Sequence, residues 1–262
     1  IGILFIGHTK WNENWNFFRI YFSYFGMVSS LYRRSDAVYL GRPFIELVQQ
    51  ANACRGNVAF VIAMLSVVLF DGLHSSQVWL AFEHLWGPYF DSNGYTLGFL
   101  GVVLVWGGFY IVFLVACFLV PQTISANARD KFSFASHISE KFAPTLIPIA
   151  LAYHLAHNFS SLVIQGQNVF ILMSDPLDQG WDLLGTANFH PNISLFNAET
   201  VWYVALSSIV IGHMISILLA HLVALREFQS SVEASKACLP LTILMIFFTA
   251  VSLIILAEPL SV

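Results

Sequence analysis

Charge is what this chain has least of: only 10% of its residues are Asp, Glu, Lys or Arg, where a soluble domain carries about a quarter. So few charges cannot cover a water-facing surface over 262 residues that are 57% hydrophobic. That excludes an ordinary soluble domain and makes lipid the natural solvent. Cysteine is scarce too. Cys54, Cys117 and Cys238 stand apart, without a CxxC, which excludes a disulfide framework and a thiolate metal site. There is no P-loop, no GxSxG elbow, no HExxH and no GxGxxG after a strand. The stretch 1–7 lacks the charged start and the cleavage site of a signal peptide, and the chain begins without Met. It is expected to start inside a longer protein or after processing. No basic patch points to a nucleic-acid partner.

What the chain does have is long apolar runs. A spanning helix needs about 20 mostly apolar residues. Segments near 57–70 (extending to 73), 95–120, 143–173, 200–225 and 237–256 qualify. The stretch 15–31, rich in Phe and Tyr with Arg19 inside it, suits an interfacial or tilted helix. The expected fold is all-α, a polytopic transmembrane bundle of about five spans plus an N-terminal interfacial or partial span. Residues 1–56 form a membrane-associated segment, and 57–262 form the helical domain.

The cations test this map. All 11 lysines and arginines precede the first span or lie between the second and third or the fourth and fifth spans. The loops 71–94 and 174–199 contain none, but carry Asp71, Glu83, Asp91, Asp175, Asp178, Asp182 and Glu199. The positive-inside rule then places the N-terminal block in the cytoplasm, both acidic loops outside, and the C-terminus outside. Both loops are rich in Trp, Phe and Gly. Trp79, Trp86 and Trp181 suit an aromatic belt at headgroup level, and such loops also suit a lid over an outward-opening site.

Among the nine histidines, two stand out in YHLAHNFSS. His154 and His157 share one helix face at i, i+3 spacing, about 16 and 21 Å from the cytoplasmic end of the third span. His213 lies about 20 Å below the outer end of the fourth span, so all three share one depth. Ionisable residues inside a membrane are expensive and usually face a bundle interior, a cavity or a partner. Three imidazoles suit a divalent transition metal such as Zn, Cu or Fe, with a carboxylate or water completing the shell. Asp71 and Glu199 are the carboxylate candidates, and His74 lies one turn beyond Asp71. Asp71 would serve as fourth ligand or general base. The alternative for any one histidine is a plain hydrogen bond to a neighbouring helix. Haem b is a further alternative, with His154 or His157 pairing His213 across two helices. His221 is expected to be interfacial, and His137 solvated in a basic loop.

The segments FDGLHSSQVW, YTLGFLGVVLVWGGFY, AYHLAHNFSSLVIQGQ, SDPLDQGWDLLGT and VWYVALSSIVIGHMISILLAH together resemble a bacterial integral membrane family labelled fenitrothion hydrolase-like. The resemblance spans about residues 57–225. It implies a bacterial inner-membrane protein that hydrolyses an organophosphate ester, a reaction that commonly uses metal-bound hydroxide.

Three readings stay open. One is a metal-dependent membrane enzyme, hydrolase-like, with His154, His157 and His213 as ligands. The second is a haem- or copper-binding or accessory subunit of a larger redox complex, its Phe-rich surface meeting partner subunits or quinone. The third is a transporter, against which stands the lack of an internal repeat and of a broken helix pair.

Overall fold

Backbone N–H and C=O groups in lipid must be satisfied within the protein, which favours long helices. A computed structural model, describing residues 7–14, 16–34, 37–49, 55–90, 95–123 and 131–257, has this form. Two short helices, α1 (His8–Asn14) and α2 (Phe17–Gly26), precede a hairpin of β1 (Leu31–Arg34) and β2 (Ala37–Leu40). The strands pair antiparallel with Leu31 opposite Leu40. Helix α3 (Ile45–Gln49) follows. The long helices are α4 (Arg55–His74), α6 (Tyr95–Thr123), α8 (Ile147–Gly166), α10 (Ala198–Glu227) and α11 (Ser231–Ala257). Helix α5 (Gln77–Trp86) follows α4, α7 (Lys131–Phe142) leads towards α8, and α9 (Asn168–Ser174) extends it. Among the described residues, five helical stretches are long and apolar enough to cross a membrane. The chain is an all-α, multi-pass integral membrane protein. The readings on residues 1–6, Trp15, Cys54, Asp91, Arg129 and 258–262 lie outside the described residues.

Four boundaries differ from expectation, each for a physical reason. The fifth helix starts at Ser231 rather than near 237, so Lys236 sits on helix. The stretch holding Lys141 and His137 is a helix, not a loop. It buries Ala135, Ile138, Ser139 and Phe142, the i, i+3, i+4, i+7 stripe of an amphipathic helix. The hairpin was not expected. Part of the 71–94 loop is helix α5, started by Ser76, whose side chain accepts from the Trp79 N–H.

The five spans close into a ring in the order α4, α6, α11, α10, α8 and back to α4. Each seam has its own contact. The Trp106 indole of α6 donates to Ala59 O of α4 at 3.0 Å. Phe109 of α6 stacks on Phe248 of α11 with ring centres 4.2 Å apart. The Cys238 thiol of α11 meets Ala220 O of α10 at 3.6 Å. Gly212 of α10 lies so close to Pro148 and Ala152 of α8 that a side chain there would collide with both. Small residues let membrane helices approach this way. The last seam, α8 to α4, is bridged by His157 and Asp71.

The N-terminal elements pack onto this ring. The Arg226 guanidinium, at the end of α10, donates to Val48 O of α3 at 3.1 Å. Helix α2 lies against α8 and presents Phe17, Phe18 and Phe22 outward. Trp79 is 6% exposed, packed edge-on to Phe70 at 4.9 Å. It is therefore core rather than aromatic belt, while Trp86 and Trp181 stay exposed.

Candidate functional site

A cavity of about 510 Å³ opens between α4, α6 and α8. Its walls are Val67, Val68 and Phe70 of α4 and Val102 of α6. Its polar groups are Asp71 and His74 of α4, and His154, His157 and Asn158 of α8. The i, i+3 and i, i+4 spacings on the two helices bring these groups to facing stripes. The result is a mostly apolar hollow with a few convergent polar groups, the usual form of a ligand site.

At its centre His157 Nε2 lies 2.6 Å from Asp71 Oδ2. A carboxylate oxygen can only accept, so a hydrogen bond across this ion-pair contact requires the proton on Nε2. In the neutral ring the remaining nitrogen, Nδ1, is then a basic lone pair. Both side chains are open, 42% exposed for His157 and 61% for Asp71, so a small molecule can reach them.

One turn away, His154 Nε2 meets the Tyr21 hydroxyl of α2 at 3.2 Å. Phe25 stands edge-on to the same ring at 6.2 Å. The Asn158 amide donates to His154 O at 3.0 Å. His74 lies against Phe70 and Trp79, at 5.8 and 5.7 Å between ring centres. Tyr21 was missed in the sequence. Its signal was the aromatic stripe Phe17, Tyr21, Phe25, spaced i, i+4, i+8 along one face of α2.

The structure thus brings together Asp71, His74, His154 and His157. It does not bring His213 or Glu199 to them. His213 is 2% exposed in the bundle interior, and its Nδ1 lies 2.8 Å from Ile209 O one turn back on α10. A carbonyl can only accept, so Nδ1 donates, and Nε2 stays buried without a partner. Glu199 is exposed in the first turn of α10. A haem bridging His213 to His154 or His157 would need space between α8 and α10, where Gly212 meets Ala152.

In the comparisons with known proteins, no family model, no curated protein and no solved structure matches this chain. The site must therefore be read from its own geometry. The donor types suit borderline transition metals. The spacing supplies a pair rather than a shell, since among the described residues no three metal-ligating side chains are placed to hold one ion.

Proposed function

We propose that this protein is a membrane enzyme of hydrolase-like chemistry, with Asp71 and His157 as its general-base pair. The 2.6 Å contact between them on the wall of an open, mostly apolar cavity carries the reading. Asp71 accepts the Nε2 proton, fixing the ring so that Nδ1 faces the reaction as a base. This is the orienting role a carboxylate plays beside histidine in hydrolases. A water on Nδ1 would give up its proton as its oxygen attacks an electrophilic carbonyl or phosphoryl centre. The same proton would then pass to the departing oxygen. The valine and phenylalanine walls fit the apolar body of a neutral ester. The resemblance to fenitrothion hydrolase-like proteins supports such a substrate class. A bacterial inner-membrane location, with the cavity near the outer face, belongs to the same proposal through the positive-inside pattern.

A bound Zn, Cu or Fe stays within the proposal as a second reading, because four candidate donors share one cavity. No three of them are placed around a common point, so no catalytic step is routed through a metal.

Purified wild type, Asp71→Asn and His157→Ala would be assayed on chromogenic carboxylic esters and phosphotriesters, beside elemental analysis and an absorption spectrum. General-base catalysis contributes about 10²–10⁴-fold. Both variants should lose at least about 100-fold in kcat/KM, with unchanged thermal melting. The double variant should be no worse than either single one. Wild type inactive on every ester overturns the reading. A stoichiometric metal lost in both variants turns the pair into ligands, and a Soret band moves the protein to the redox-subunit reading.

A further inference from the structure

Between α9 and α10 the chain runs through residues 175–197 without regular structure, yet it does not resemble a solvated loop. Two of its carboxylates are taken up by hydrogen bonds within the loop and to the end of α9. Asp175 accepts from the N–H groups of Gln179 and Gly180 at 2.9 and 2.7 Å. Asp182 accepts from the Ser174 hydroxyl at 2.7 Å and the Ala187 N–H at 3.0 Å. The Leu183 N–H donates to Ser174 O at 3.1 Å. The loop is also pinned to the end of the third span. The Gln167 amide both donates to Asn192 O and accepts from its N–H, at 3.1 and 2.9 Å. The Thr186 hydroxyl donates to Phe170 O at 2.7 Å.

Large apolar side chains of the loop are exposed as well. Ile193 is 73% exposed and Leu183 65%, with Leu177, Leu184 and Trp181 exposed beside them. A contiguous exposed apolar surface marks an interface. Along the chain these side chains adjoin exposed apolar side chains at the ends of the neighbouring helices. Exposed Phe170, Leu172 and Met173 of α9 lead into the loop, and exposed Trp202 and Tyr203 of α10 lead out.

We infer that the 175–197 loop is a folded plate lying in the headgroup and upper acyl region of the adjoining leaflet, with lipid as its partner. Two conditions of that environment are met. Backbone groups near lipid must find partners within the protein, and many of this loop's do. The buried face must carry apolar area, and Leu177, Leu183, Leu184 and Ile193 supply it. The segment 174–199 contains no Lys or Arg, so attraction to anionic headgroups plays no part. Attachment should therefore be insensitive to salt.

The test places a single spin label in a variant with its cysteines replaced by alanine, reconstituted alone in phosphatidylcholine vesicles. Labels at Leu183→Cys and Ile193→Cys are compared with one at Asp178→Cys by collision with oxygen and with a water-soluble nickel chelate. The two apolar positions should be severalfold more protected from nickel than position 178, and equally so at high salt. As a second readout on the native loop, brominated lipid should quench wild-type tryptophan fluorescence more than that of Trp181→Phe. Nickel access at 183 and 193 equal to that at 178 overturns the inference. Access in vesicles but protection in native membranes also overturns it, and assigns the surface to a protein partner.

Discussion

At Asp182 one carboxylate joins the Ser174 hydroxyl at the end of α9 to the Ala187 N–H of the 175–197 loop. The Ala187 N–H first, and then the Ser174 hydroxyl, hold its carboxyl below the usual carboxylate range. A group easier to ionise when folded stabilises the fold above its ordinary pKa of about 3.9. That contribution disappears as pH falls through the lowered value. Hydrogen exchange of the loop amides, corrected for intrinsic rates, should be flat from pH 7 to 5 and lose protection below about pH 4. Asp182→Asn should lose protection severalfold already at pH 7 and show no acid limb. An acid limb of full size in the variant would place the titrating group elsewhere. Asp71, His157 and His213 mark what the sequence carried at this scale. Depth follows from 1.5 Å of rise per residue, and it put His154, His157 and His213 at one level, with Asp71 a carboxylate candidate at the outer end of its own span. Azimuth depends on how neighbours pack. The Gly212 contact with Ala152 fixes how α10 sits against α8, and His213 ends up inside the bundle rather than on the cavity.

The elements were legible wherever hydrophobicity ran unbroken for a full membrane thickness, which is why all five spans were found. Helix α7 was passed over because KFSFASHISEKF has low overall hydropathy, although its buried positions follow a helical period. The hairpin at 31–40 is short and its described side chains are exposed, so burial left no alternating pattern to read. The seam between α8 and α10 carries a prediction of its own. Gly212 has no room for a side chain, whereas at Gly107 and Gly108 of α6 an added Cβ would meet nothing within 4 Å. Gly212→Val should destabilise the protein by about 1–3 kcal/mol through overpacking. Gly107→Ala and Gly108→Ala should instead gain about 0.5–1 kcal/mol from helix propensity. Thermal unfolding of the three variants in one detergent reads the difference. Equal melting of Gly212→Val and wild type would mean that α8 and α10 do not approach this closely.

Across the whole molecule, charge and fold agree on which pieces share an end of the ring. Arg226 at the end of α10 binds Val48 of α3, and Glu227 binds Lys141 and His137 of α7 at 3.1 and 3.2 Å. Helix α3, α7 and the 228–230 turn therefore gather at one end. The 75–90 and 174–197 segments lie at the other, because each is joined to it by a full span. His137, expected to be solvated, is half exposed yet paired with Glu227. Which end faces the cytoplasm is part of the proposal, and it rests on the absence of Lys and Arg from the 71–94 and 174–199 loops through the positive-inside rule. In intact cells, an impermeant maleimide should label Asp178→Cys and leave Gln229→Cys untouched until the membrane is opened. Both positions are exposed, so a failure to label reflects sidedness and not burial. The reverse pattern would place Asp71, four residues before the 75–76 bend, near the cytoplasmic face. The cavity would then draw on substrates from the cell interior, and the search for its ester would begin there.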